Sequence, residues 1–240
     1  PFIPHFKDIL NIYNYYLSLP LLLSPFLYLI FKKIIKLDRH FLVYFAWWIL
    51  PLLANAAMAK VFTARYILFV LPPFILLLSQ FLKPLFVKKY IFVLVLLFIP
   101  NLLRIYQISF HPGNLKLPVI DAGYISGWTS GWGIKEASEY LISRSLEANV
   151  IVGTEGSFGT LPDGLQIYTN DIPRLTVFGV GLNITEIPAK LIDARNFGDE
   201  VYLLFNSSRL KINSADLDKL LLINRYPKPE NDYLLLYRLK

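Results

Sequence analysis

The chain has 240 residues, a formal charge of +7, no cysteine and 55% hydrophobic residues, an apolar fraction that points to a membrane protein. The missing cysteines exclude disulfides and thiolate metal sites. Nor does the positive charge mark a nucleic-acid partner: residues 1–109 carry 11 Lys/Arg against 2 Asp/Glu, a balance of +9, which leaves −2 on residues 110–240. The excess therefore sits beside apolar segments, and the polar half shows neither a basic patch nor a basic–aromatic motif.

In chain order, the first apolar run has no basic leader and no small-residue cleavage site, and the chain opens on Pro1. It reads as the C-terminal part of a longer protein and not as a signal peptide. Four uncharged runs follow one another: Ile9–Phe31, Phe41–Ala59, Tyr66–Leu82 and Tyr90–Leu103, the last extended by "RIYQISF" to about residue 108. A helix needs about 20 apolar residues to cross a bilayer. The expectation is a transmembrane region over residues 1–109 with four membrane helices (9–31, 41–59, 66–82 and 90–108). Prolines inside the runs are tolerated where neighbouring helices re-satisfy freed carbonyls. None of the four uncharged runs holds an ionisable Asp, Glu, Lys or Arg, which speaks against a transport pathway.

The segments "KKIIKLDR" (Lys32–Arg39) and "KPLFVKK" (Lys83–Lys89) are short and basic, so both are expected on the cytoplasmic side. The loop "KVFTAR" (Lys60–Arg65), and everything beyond residue 104, then lies outside. Lys60 and Arg65, with Tyr66 beside them, are cations on the face where positive-inside bias does not favour them.

Residues 110–240 change character. "GWGIKEASEYLISRSL" has Ile134, Ala137 and Leu141 at helical spacing behind Gly133. "ANVIVG", "RLTVFGVG" and "DEVYLLFNSS" read as strands, "LPDGLQIY" and "ITEIPAKLIDARNF" as helical. "KLLLINRY" and "DYLLLYRL", joined by "PKPEN", read as an antiparallel pair. Alternating strands and helices predict a small α/β domain over 110–240.

The glycine-rich loop "GTEGSFGTLPDG" (Gly153–Gly164) lies between a strand and a helix, but its G-x-x-G-x-x-G spacing matches neither the dinucleotide fingerprint nor the P-loop. Glu155 would place a carboxylate where a phosphate belongs. A structural turn, or Glu155 facing a sugar hydroxyl, are the two readings left. Trp128 and Trp132 in "YISGWTSGWG" suit an interfacial aromatic belt or local packing, or a stacking surface for sugars. His5, His40 and His111 show no metal-ligand spacing, and no Ser or Cys stands beside a histidine. No metal site is expected in this chain.

"KVFTARYILFVLPPF", at Lys60–Phe74, resembles the late-helix signature of GT-C type membrane glycosyltransferases, among them protein O-mannosyltransferases and bacterial transferases of lipid A aminoarabinose. "SGWGIKEASEYL" with "VIVGTEGSFGTLPDGLQIY" is similar to the soluble tail of some bacterial members. The resemblance implies a multi-pass plasma-membrane enzyme, four membrane helices here followed by a small extracytoplasmic α/β domain. It would move a sugar from a polyprenyl-phosphate donor to an extracytoplasmic protein or glycolipid acceptor. In the family an acidic residue of the first external loop is the general base. That residue would lie upstream of Pro1, so the catalytic residue is unknown here. Cations, in some members a divalent metal, offset charge on the departing lipid phosphate. The resemblance makes Lys60, Arg65 and Tyr66 the lipid-phosphate candidates, while Glu155, Trp128 and Trp132, singled out by residue type and loop context, are the candidates for acceptor or sugar contact. The competing readings are a non-enzymatic membrane protein with an external binding domain, a sensor or assembly factor, and a polysaccharide polymerase or flippase subunit. An acidic motif upstream of Pro1 would favour the enzyme.

Overall fold

The structure is a computed structural model describing residues 2–31, 39–60, 62–83, 86 and 90–240. It divides into two compact units, Pro1–Ala122 and Gly123–Lys240.

In the first unit, α1 (Phe2–Leu17) and α2 (Leu19–Phe31) precede α3 (Arg39–Met58). A 3₁₀ segment (Ala64–Val70) leads into α4 (Leu71–Leu82), and α5 (Ile91–Phe110) follows. The four-span expectation is corrected. Among the described residues only α3 and α5, each 20 residues, are long and apolar enough to cross a membrane. The first run divides at Ser18, whose φ of 63° lies in the left-handed region, leaving helices of 16 and 13 residues. The third run divides at its double proline. Pro72 and Pro73 occupy the first turn of α4, where a missing N–H leaves no helical bond unmade, and the residues before them wind as 3₁₀. Two helices also extend past the ends of the charge-free runs. Helix α1 contains Lys7 and Asp8, and α5 continues through Arg104. The basic segments expected on the cytoplasmic side, at 32–39 and 83–89, fall largely outside the described residues.

The core of this unit is aromatic. Trp48 packs against Tyr13 at 6.2 Å and Phe74 at 5.1 Å between ring centroids, and its indole N–H donates to the Tyr13 hydroxyl at 3.1 Å. Leu52, Ala56, Leu77 and Leu94 complete it. On α5 only Leu94 is buried, while Phe92, Leu96, Leu102 and Ile105 are exposed. The helix therefore leaves a broad apolar face uncovered within this unit.

The second unit carries a five-stranded mixed sheet in the order β2-β1-β3-β5-β4. Its strands are β1 (Val150–Thr154), β2 (Leu175–Gly179), β3 (Glu200–Asn206), β4 (Leu220–Pro227) and β5 (Tyr233–Leu239). β1 pairs in parallel with β2 and β3, and β5 antiparallel with β3 and β4. The strands and the closing antiparallel pair read from the sequence are all present. Alternation sorts the residues: Val150, Val152, Tyr202 and Leu204 face α6 (Ile134–Ser145) and α7 (Asp163–Thr169), whereas Val201, Leu203 and Phe205 face α8 (Ala189–Asn196). Helices thus cover both faces. The chain leaves β1 toward β2, crosses back to β3, and then runs outward through α9 (Ser214–Leu217) to β4. The carboxyl ends of β1 and β3 are consequently a topological switch point, where open α/β sheets hold ligands.

Candidate functional site

In the first unit, Asp8, Asn11 and Tyr15 recur on α1 at spacings of three and four, so they share one helix face. With Asn14, Arg104 and the segment Lys116–Ile120 they line a hollow of about 350 Å³, within the usual range for ligand pockets. The Arg104 guanidinium lies 3.9 Å from the centre of the Tyr15 ring, and its Nη1 is buried without a hydrogen-bond partner. Such a donor costs about 1–3 kcal/mol if nothing accepts from it, and more when charged. Lys116 adds a second, exposed cation.

The phosphate candidates named from the sequence lie elsewhere on this unit. Lys60 and Arg65 are exposed, and the Arg65 guanidinium sits 5.4 Å from the Tyr66 ring centre. Arg65 and Tyr66 lie at the start of the 3₁₀ segment, which Lys60 precedes, and buried Asp121 ties that segment to α1. One Asp121 oxygen accepts from the Ala64 amide at 3.4 Å and the other from the Tyr16 hydroxyl at 3.0 Å. Tyr16 in turn meets Tyr15 edge-on at 5.0 Å. Arg65 and Arg104 therefore hang on one framework of contacts. Sequence reasoning missed Arg104, Lys116 and Asp121. The available signal was Arg104 itself, a lone ionisable residue within an otherwise apolar helix.

In the second unit Glu155 and Trp128 come together at the switch point, and Trp132 does not join them. Trp132 donates its indole N–H to Ile125 O at 2.8 Å, in a separate hollow with Tyr124, Lys135 and Glu136. Glu155 immediately follows β1 and is buried. It accepts from the Asn206 side-chain amide and, at 3.3 Å, from the Asn206 backbone N–H at the end of β3. Arg209 approaches it to 3.9 Å while lying 3.7 Å from the centre of the Trp128 ring. Burial pushes the Glu155 carboxyl above its ordinary pKa, with the Asn206 donors and Arg209 opposing. A cleft of about 140 Å³ opens here, lined by Trp128, Glu155, Phe158, Leu161, Leu182 and Arg209 among others.

Two buried ionic residues hold this arrangement. Lys228 donates to Ser130 O at 2.9 Å and Gly127 O at 3.4 Å, fixing the turn that presents Trp128. Burial lowers its pKa, against the fields of Asp232 and Glu155. Asp232 accepts from the Ser207 and Ser208 hydroxyls and from the Ser208 and Tyr233 amides, fixing the turn that presents Arg209. Burial works to raise its pKa, but those donors leave it lowered overall.

The glycine-rich loop is a structural turn. Gly156 exchanges two backbone hydrogen bonds with Gly181, at 2.9 and 3.1 Å, so its amide is not free to cradle a phosphate. Its φ is +83°, and a Cβ there would stand 2.7 Å from the Leu161 carbonyl. Gly156→Ala should destabilise the second unit by about 1–2 kcal/mol from the left-handed backbone alone, measured as a lowered urea midpoint with unchanged slope.

Among the described residues no cluster of His, Cys, Asp or Glu is placed to hold a metal ion. Comparison with protein-family models, curated proteins and solved structures gives no match. The likeness to GT-C transferases therefore rests on the residues that suggested it.

Proposed function

We propose that this chain is part of a membrane-bound transferase that handles a polyprenyl-phosphate-linked sugar. The first unit holds the donor, and the second lies on the extracytoplasmic side. The observation that carries the reading is the hollow beside Arg104: a guanidinium with an unmatched buried donor, a nearby lysine and three amide or carboxylate side chains, on a helix otherwise dressed for lipid. Arginine binds phosphate through two parallel N–H bonds and lysine as a point charge. Asp8, Asn11 and Asn14 supply acceptors and donors for sugar hydroxyls. An apolar tail leaving this hollow would meet the exposed side chains of α5. The orientation proposed here is supported by α5, which has Lys83, Lys88 and Lys89 before it and a nearly neutral stretch after it.

The test is binding of a fluorescent polyprenyl phosphate to the purified chain in nanodiscs. Arg104→Ala should weaken it at least about tenfold, which corresponds to about 1.4 kcal/mol. Binding of the phosphate-free polyprenol should be unchanged by the same substitution. If polyprenol binds as tightly as its phosphate, the reading fails.

A further inference from the structure

We propose that the switch-point cleft of the second unit binds one neutral monosaccharide ring. The inference stands apart from the donor reading, because neither lipid nor phosphate enters it. Size sets the first limit. At about 140 Å³ the cleft is smaller than the roughly 300 Å³ floor of drug-sized pockets and close to the about 150 Å³ of a cavity that admits a single benzene. The cleft has room for one ring seated against its floor, with the substituents of a sugar reaching the open mouth.

Charge sets the second. Glu155 and Arg209 face the same hollow, 3.9 Å apart. An anionic ligand would meet the buried carboxylate and a cationic one the guanidinium, so each ionic class is opposed by one wall. A neutral ligand that both donates and accepts hydrogen bonds suits both, and vicinal hydroxyls do this within a few ångströms.

The third limit comes from the rim. Trp128, Phe158 and Leu182 are 45%, 83% and 53% exposed and together form the cleft mouth. An aromatic and aliphatic rim above a buried carboxylate matches the two kinds of surface on a pyranose: C–H groups toward the rings, hydroxyls toward Glu155. The frame is fixed in advance by Lys228 and Asp232 from below, so little ordering is needed on binding.

The experiment uses the full 240-residue chain in nanodiscs with 5-fluorotryptophan, the Trp128 resonance being assigned by its loss in Trp128→Phe. Methyl glucoside, methyl mannoside and methyl galactoside are titrated separately, with glycerol as control. At least one glycoside should shift the Trp128 signal saturably at millimolar concentration while glycerol leaves it in place. Glu155→Gln should weaken that binding about tenfold, the loss of a hydrogen bond to a charged group. Phe158→Ser alters a side chain that stands in solvent, so the fold is kept, and should weaken binding about threefold or more. The proposal is overturned by the absence of saturation with all three glycosides, by an equal response to glycerol, or by unchanged affinity in Phe158→Ser.

Discussion

On the proposed donor reading, Arg104→Ala should lower sugar transfer by about a hundredfold or more, the scale seen when one preorganised donor to a developing oxyanion is removed. Its Nη1 is buried and lacks an acceptor, and a departing lipid phosphate gains charge as the sugar bond breaks. Contact of this kind strengthens in the transition state, so kcat should fall more than KM rises. Arg104→Lys should recover only part of the loss, because the point charge returns without the two-pronged geometry. Arg65→Ala is the informative partner. Arg65 is exposed and rests near Tyr66, yet it belongs to the motif that carries the family likeness. If both cations act on one phosphate, each single variant should lose about a hundredfold and the double variant far less than the product. Initial rates with a labelled polyprenyl-phosphate sugar, on protein shown by circular dichroism to be folded, decide between these outcomes. Near-normal turnover in Arg104→Ala would leave the hollow without a catalytic role.

These residues show where sequence reading succeeded and where it stopped. The sheet was legible because buried strands announce themselves locally: "VIVGT" and "EVYLLFN" are short apolar runs with β-branched or aromatic members, bounded by turn residues. Helix ends in the first unit were not. Searching for charge-free runs stops each segment at the first ionisable residue, whereas a helix continues through a charge that finds a polar wall. Arg104 and Asp8 sit just beyond the limits of two runs, and they are the residues that line the hollow. The break at Ser18 had no local signal, since serine rarely adopts positive φ. The cleft was half legible. Glu155 and Trp128 could be singled out by type and loop context, but Asn206 and Arg209 reach them because β1 and β3 are neighbours, and Lys228 comes in from the end of β4; strand order is a tertiary fact. Burial of Glu155 likewise follows from the layer above it, not from its neighbours in the chain.

Glu200→Gln should destabilise the second unit by about 2 kcal/mol at neutral pH, the loss expected when hydrogen bonds to a charged group are weakened. The Arg144 guanidinium grips both Glu200 oxygens, at 2.6 and 3.1 Å, from the last turn of α6. Arg238 of β5 adds a contact at 3.1 Å, and the Tyr202 hydroxyl donates at 2.8 Å. One carboxylate, only 11% exposed, thus joins a helix to two strands. Arg144 and Arg238 reach solvent, and screening there keeps the value below that of a fully buried pair. The Arg144 donors, foremost, hold the Glu200 carboxyl below its ordinary range against the effect of burial. The folded state thus binds this proton less tightly than the unfolded chain, whose glutamate titrates at about 4.3. Stability from Glu200 is therefore fully present above that pH and is lost as pH falls through the depressed folded value. Glu155 works in the opposite sense, because burial raises its pKa; its ionisation subtracts stability as pH rises above about 4.3. The whole-protein curve mixes these contributions, so the difference between parent and Glu200→Gln is the quantity to measure. Urea unfolding of Gly123–Lys240 across a pH series should give a difference of about 2 kcal/mol at neutral pH that shrinks steadily below about pH 4. A difference that stays constant down to acid pH would mean that Glu200 contributes through packing alone.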